Sequence, residues 1–424
     1  MKRNKNVLVI GTSDVIGGAA KVSQDVALGV KKYGYESRFL VGHRSSNSNK
    51  VEELDRNLLL TKALKWTGFD LRNILGHARA YLLSNDIDFG AGEDILNHKW
   101  FNEADIVHLH NLHGNFFKLA TLEKIAKEKP TVWTLHDGWA ITSHCAHCFD
   151  CKNYNNGKHF TSGIGRYQAV LWNNSEYLWS KKKEIYKNCN LNIVTPSLWL
   201  KKRLDGSILS GKRVHLINNG VRTSVFRPGS KSRARKLLGL PENKKIVLYI
   251  ANGGRRNPFK GWEYFKYVAD CFKDRKDIVF VTIFSGEEGW KDNILNVGYV
   301  ADPQKMSIYY QASDLFLFTS LAENFPLVTL EAMSSGLPIV SFDVGGVSEQ
   351  VTHKKNGYVA EYKNRTDLIK GVYFILELDK NRILKMNREN RKKAVKKYSI
   401  QIMSTSYAKL YGIVEGMVST SLSV

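Results

Sequence analysis

The stretch Glu323-Asn-Phe-Pro-Leu-Val-Thr-Leu-Glu331, running on through Ala-Met-Ser-Ser-Gly336-Leu-Pro338-Ile-Val-Ser-Phe-Asp-Val-Gly-Gly346, sets two carboxylates around the start of a short helix. Pro326 suits a first helical turn because it lacks an amide hydrogen that would go unpaired there, and Gly336 with Pro338 supplies the stop. The expected helix therefore spans residues 326–335. Its leading amides carry about half a unit of positive charge, a natural seat for a phosphate. Glu323 precedes that seat, and Glu331 projects from the helix one to two turns in. Carboxylates accept hydrogen bonds from hydroxyl groups, so Glu331 can hold a ribose and Glu323 a hexose on opposite sides of a diphosphate. The plainer alternative is a pair of surface glutamates on an amphipathic helix.

Other segments favour the first reading. Asn296-Val-Gly-Tyr-Val300 and Tyr309-Tyr-Gln-Ala-Ser-Asp-Leu-Phe-Leu-Phe-Thr-Ser320 lie upstream, and His353-Lys-Lys-Asn-Gly-Tyr-Val359 downstream. Val7-Leu-Val-Ile-Gly-Thr-Ser-Asp-Val-Ile-Gly-Gly-Ala-Ala20, Thr134-Leu-His-Asp137 and Ile217-Asn-Asn-Gly220 occupy the first half. Over nearly the full length the chain resembles retaining glycosyltransferases of family 4, closest to the capsule, O-antigen and colanic-acid type; the Glu-x7-Glu segment is the most specific part.

The resemblance implies a GT-B fold of class α/β: two doubly wound Rossmann-like domains facing a central cleft, with a C-terminal helix crossing back to the first. It implies metal-independent transfer of a hexose, with retention, from a UDP- or GDP-sugar to a lipid-linked glycan acceptor, and no separate cofactor. Lys260 and Arg255 would then neutralise the diphosphate leaving group, although spacing alone leaves Arg256 open in place of Arg255. His136 would be a polar contact to the hexose, beside Glu323. The donor seat would comprise Gly17, Gly18, Asn324, Phe325, Leu327, Val328 and Glu331. One departure stands out: after Asn218-Asn-Gly-Val221 the family usually has aspartate, whereas this chain has Arg222.

The residues themselves support parts of this scheme. Ala251-Asn-Gly-Gly-Arg-Arg-Asn-Pro-Phe-Lys-Gly261 follows an apolar strand, and its Arg fork and Lys point charge suit a diphosphate. Gly17-Gly18 would let backbone approach a phosphate, or simply form a tight turn. No G-x-G-x-x-G appears, which argues against a dinucleotide redox cofactor. His136 ends the strand 131–135, where α/β proteins place reacting groups; His108, His110 and His113 line another strand end, some of them structural. Glu323 and Glu331 do not form a glycosidase pair, whose carboxyls would flank one bond about 5–9.5 Å apart.

Two metal-like spellings compete. His144-Cys-Ala-His-Cys-Phe-Asp-Cys151 offers zinc ligands at intervals of three, but without a second distant hook, and buried thiols are the other reading. Asp86-Ile-Asp88 spells the D-x-D of metal-dependent transferases in no strand-end setting and is expected to be a decoy.

At 424 residues the chain calls for two domains. The expected division is 1–218, 219–395 and a returning helix 396–424. Strands are expected at 7–10, 37–41, 105–109, 131–135 and 191–195, then at 245–250, 278–283, 314–318 and 338–342, with no clean strand series in 42–104. Apolar residues at 43% and charged ones at 24% are ordinary for a globular protein. No window approaches a membrane span and no export signal opens the sequence; five cysteines then fit a reducing compartment, and a cytoplasmic location is expected.

Lys and Arg number 63 against 40 Asp and Glu, a net +23 that favours polyanionic partners. Runs at Lys181-Lys-Lys183, Lys201-Lys-Arg203, Lys231–Lys236, Arg391-Lys-Lys393 and Lys396-Lys397 read as solvated surface, or as a patch for peripheral association with the inner membrane surface. Without interleaved aromatics they do not suggest nucleic acid. A sugar-nucleotide epimerase or hydrolase on the same fold is the rival enzyme, and a basic nucleic-acid binder the non-enzymatic one.

Overall fold

The computed structural model describes residues 4–54, 78–147, 154–158, 170–251, 253–284 and 286–421. The chain divides into two compact units, residues 1–217 with 404–424 and residues 218–403. Each is built around its own seven-stranded sheet.

In the first unit the strands are β1 (Lys5–Ser13), β2 (Tyr35–His43), β3 (Val51–Glu53), β4 (Ile106–Leu109), β5 (Thr131–Thr134), β6 (Asn192–Thr195) and β7 (Arg213–Leu216). They lie in the order β3-β2-β1-β4-β5-β6-β7, every pairing parallel. In the second unit β8 (Lys245–Ile250), β9 (Ile278–Ile283), β10 (Gly289–Lys291), β11 (Ile294–Asn296), β12 (Leu315–Phe318), β13 (Ile339–Phe342) and β14 (Gly357–Ala360) run β10-β11-β9-β8-β12-β13-β14. All pairs are parallel but β10–β11.

Parallel strands need crossovers, which put helices on both faces and bury both sides of the sheet. Central strands accordingly carry unbroken apolar runs: all four residues of β12, Leu-Phe-Leu-Phe, are buried. Each such side chain contributes about 1.5–3 kcal/mol, and a run like this is legible without a structure. The edge strands β7 and β10 have no fully buried residue. Together with β3 and β14 they escape the sequence reading, because their place is set by a neighbour's free edge and not by their own hydrophobicity.

In both sheets the chain order reverses at one point, between β1 and β4 and between β8 and β12. The space beyond the C-terminal strand ends at such a point is the usual ligand position of doubly wound sheets.

Three expectations need correction. The helix predicted for 326–335 covers Leu327–Ser334; Pro326 is its N-cap, with an extended ψ of 137°, and so stands outside the first turn. The return to the first unit falls at Ser404 and not at 396, because Arg391 of the helix Lys380–Lys397 ties that helix to the carbonyls of Thr223, Phe226 and Ser334 in the second unit. Lys182 and Arg235, from two of the basic runs, are buried. Lys182 Nζ donates to the carbonyls of Trp139 (2.8 Å) and Thr142 (3.1 Å), and Arg235 binds Asp314 at 2.7 Å. Both therefore serve folding.

Asp86, the first aspartate of the D-x-D, is also buried; it accepts the Trp139 indole hydrogen at 2.6 Å, and burial raises its pKa against the pull of Lys182. Asp88 accepts from the Tyr177 hydroxyl at 2.6 Å. The pair is a brace for surrounding loops. Cys148 and Cys151 of the proposed zinc set lie outside the described residues; Cys145 is buried beside the His144 ring. Among the described residues no helix is long and apolar enough to cross a membrane.

Candidate functional site

The second unit gathers its predicted residues at the β8/β12 switch point. After β8 the chain turns through Gly253, at φ +80°, into the short helix Gly254–Arg256 and reaches Lys260. Gly261 follows at φ +61°, where an added Cβ would lie 2.1 Å from the Thr319 carbonyl oxygen. That close approach pins the lysine's backbone to the exit of β12. The Thr319 hydroxyl lies 3.1 Å from the Lys260 carbonyl oxygen and 2.9 Å from that of Gly261, and the Leu321 amide donates to Phe259 at 2.8 Å.

Glu323 is held by an equivalent device. Gly345 has φ +57°, and a Cβ there would meet the Glu323 carbonyl oxygen at 1.9 Å; the Gly346 amide donates to Asn324 at 2.7 Å. Asn219 reaches the Phe325 carbonyl at 2.9 Å. With both backbones fixed, Lys260 Nζ meets Glu323 Oε1 at 2.6 Å, the side chains retaining 22% and 14% exposure. An ammonium has three donors. Glu323 takes one, so the ion pair, neutral overall, still presents two N–H donors.

Arg255 is exposed, its guanidinium 4.8 Å from the Trp262 ring centroid and 5.5 Å from that of Phe284. Stacking on aromatic faces preorganises an arginine at small entropic cost. Asn324 and Phe325 are buried in the loop, and Leu327 and Val328 half-buried at the helix start. The helix's N-cap residue, Pro326, makes no side-chain cap hydrogen bond. Glu331 is 5% exposed and accepts from the Tyr310 hydroxyl at 3.0 Å. Burial, followed by the Glu331 charge, pushes Tyr310 well above its ordinary pKa, so the phenol stays a donor. Tyr310, Trp262, Phe284 and Gly345 all support the site, and the sequence reading did not single them out. The tyrosine and the glycine lay inside segments already noted; the two aromatic residues did not.

The first unit holds a separate cluster. His136, after β5, places Nε2 2.8 Å from His110 Nδ1, after β4, with the rings stacked. His108 binds the Tyr411 hydroxyl at 2.7 Å and the Thr134 hydroxyl at 2.8 Å, and Thr134 in turn meets Tyr407 at 2.9 Å. The end of the C-terminal helix Ile400–Ser421 is thereby tied to the strand that carries His136. Asp137 accepts from His113 at 2.8 Å and from the Trp139 amide at 2.9 Å. Gly17 has φ +93°, and both it and Gly18 are exposed, with open space where a Cβ would stand. The buried Asp14 steadies this loop by accepting the amides of Ser45 and Ser46 at 2.8 and 3.0 Å.

Burial disfavours the charged forms of His108, His110 and His136. With His136 nearby, it depresses His108 to about 3; it brings His136 to about 4 despite Asp137, and puts His110 well below its usual value. Burial would raise Asp137, but His113 outweighs it and keeps the carboxyl at about 2. An unfolded histidine titrates near 6.5, so between that pH and the depressed values the unfolded chain binds more protons. The stabilisation is complete above about pH 6.5 and is lost as pH falls towards 4, by at most about 1.4 kcal/mol per pH unit for each histidine. His136 keeps some solvent access and contributes least. We expect denaturant midpoints to fall across this window in the wild type and to fall less steeply in His110→Asn; parallel curves would refute the account.

The two units have counterparts among known proteins. Residues 16–225 match the model of Glycosyltransferase Family 4, and residues 230–397 that of Glycosyl transferases group 1. The putative colanic acid biosynthesis glycosyl transferase WcaC of Escherichia coli (strain K12) is 22% identical over 364 residues, 83% of this chain and 86% of that protein. Other curated relatives align over about half of their own length or less. Among solved structures, sucrose-phosphate synthase from Thermosynechococcus elongatus superimposes with a TM-score of 0.68 at 14% identity, covering 97% of this chain and 100% of the other. HepE of Anabaena, solved in complex with UDP and glucose, gives 0.66 at 15% identity, covering 96% and 99%.

The fold is that of the GT-B proteins, two parallel-sheet Rossmann-like domains in one chain. Within that class the chain belongs to the glycosyltransferases, with a family 4 first domain and a group 1 second domain.

Proposed function

We propose that this glycosyltransferase moves a hexose, with retention of configuration, from a UDP- or GDP-sugar to a lipid-linked glycan in surface-polysaccharide synthesis, working at the cytoplasmic face of a membrane. The observation that carries the donor half is the Lys260–Glu323 contact at 2.6 Å, placed at the β8/β12 switch point next to a helix start without a side-chain N-cap. A diphosphate there gains the helix amides, the second and third Lys260 donors and the stacked Arg255, all of which favour the charge that develops on the leaving group. Glu331 takes the ribose hydroxyls, and Glu323 orients the hexose. Neutral His136 can accept or donate without adding charge. The acceptor half draws support from the colanic acid relative, and the donor half from the UDP and glucose of the structural neighbour.

Thermal shift against a panel of nucleotide sugars identifies the donor, since a ligand that binds only the folded state raises its melting temperature. Release of nucleoside diphosphate should then require a glycan-lipid acceptor. Equal release without acceptor would favour a hydrolase. Glu331→Gln should raise the donor Kd by about 10- to 100-fold, the worth of hydrogen bonds to a charged group, while leaving the melting temperature close to wild type. An unchanged Kd would remove Glu331 from the site.

A further inference from the structure

The helix Lys380–Lys397 carries nine lysines and arginines against one glutamate, Glu389. Its residues wall two adjoining hollows, of about 580 Å³ and about 350 Å³. The larger has an apolar lining from Pro228, Leu337, Pro338, Ile383, Leu384 and Val395, with Arg388, Lys392 and Lys396 also on its walls. The smaller is lined by Lys355, Lys392, Lys393, Lys396 and Lys397, with Thr352, Asn356 and a single carboxylate, Glu389, against those five lysines. Lys392 and Lys396 are common to both, four residues apart and so on one face of the helix.

Three features make these hollows look like a receptor for an anion. The carboxylate on the larger one's wall, Asp314, is already engaged by Lys231 at 2.6 Å and Arg235 at 2.7 Å. Arg391 is committed to backbone carbonyls, whereas the lysines are concentrated around the smaller hollow. Burial, then Lys397 and Lys355, pushes Lys393 down to about 8; a bound anion would relieve that crowding. The apolar part is equally specific, since Leu384 and Val395 stand 41% and 39% exposed on an otherwise polar helix. Asp314 and Pro338 precede β12 and β13, so this place lies at the opposite strand ends from Lys260 and Glu323.

We propose that the paired hollows bind an anionic phospholipid of a bilayer surface, its phosphate among the lysines around Lys393 and an acyl chain against Leu384 and Val395. Basic side chains beside exposed aliphatic ones are the composition of a helix lying in a membrane interface, and inorganic phosphate or pyrophosphate would have no use for the apolar floor. The inference rests on the membrane-surface part of the proposed function and not on the donor chemistry.

Co-sedimentation of the full chain with vesicles tests it. Partition onto phosphatidylcholine vesicles containing about one third phosphatidylglycerol should exceed that onto phosphatidylcholine alone by at least about tenfold. Lys392→Glu/Lys396→Glu should remove that excess, and Leu384→Gln/Val395→Gln should lower it by about threefold or more. Lys392→Gln/Lys396→Gln serves if charge reversal disturbs folding. Equal partition onto both vesicles, or insensitivity to either lysine pair, overturns the proposal. Displacement by inorganic pyrophosphate together with no effect of the aliphatic pair would make this a soluble-phosphate site, and tighter binding of an RNA oligonucleotide would make it a nucleic-acid surface; each also overturns it. Nucleotide-sugar turnover measured without vesicles reads the donor site alone, so the two assignments fail separately.

Discussion

Lys260→Ala lowers kcat/KM for sugar transfer by about 10²–10³-fold, the usual consequence of removing one preorganised group from a developing negative charge. The lysine cannot be replaced by a neighbour. Gly261 and Thr319 hold its backbone at the end of β12, and its Nζ sits 2.6 Å from Glu323 Oε1. Loss of the ammonium also leaves Glu323, only 14% exposed, without its cation. Part of the effect could therefore come from an uncompensated buried charge, which by itself is destabilising. Lys260→Ala/Glu323→Gln separates the two contributions: thermal stability should recover in the double variant, whereas turnover should not. Steady-state kinetics with the identified donor, alongside thermal melting, provides the check. Wild-type kcat/KM in Lys260→Ala would rule out a role for the ammonium at the leaving group.

Gly345→Ala should be almost as damaging without touching any group that contacts substrate. A β-carbon there would stand 1.9 Å from the Glu323 carbonyl oxygen, on a backbone at φ +57°. Left-handed backbone at a non-glycine residue costs about 1 kcal/mol or more, and the overlap must in addition be relieved by moving the loop. We expect a stability loss of about 1–3 kcal/mol, equivalent to a melting shift of about 2–4 °C per kcal/mol at this size. The displaced Glu323–Pro326 loop should reduce kcat/KM by at least about tenfold, since errors of about 1 Å in positioning are costly. A variant that melts lower yet turns over normally would show that the loop position is unimportant.

Much of this molecule is legible from the amino-acid order because central parallel strands are buried on both faces. Val7–Ile10, Thr131–Thr134 and Leu315–Phe318 could not satisfy their hydrophobicity in another role. The Glu323–Glu331 segment was legible for a related reason, since a proline stop, a short apolar helix and a glycine exit leave few alternative conformations. The basic runs were the least transparent. Lys182 and Lys183 are adjacent in the chain, yet the first is fully buried against Trp139 and the second is exposed. Charge in a sequence records no direction, and a helix turns successive side chains by about 100°.

The order of residues therefore determined by itself the class of fold and the central strands of both sheets, and it named the groups proposed to grip a diphosphate. Those properties follow from local periodicity and backbone stereochemistry, which act over a few neighbouring positions. Only the tertiary structure decided that Lys260 would touch Glu323, that His136 would lean on His110 and that Asp86 would brace Trp139. Each of these contacts joins residues 26 to 63 positions apart through strand register. Register is set when whole sheets close, and no single segment contains it.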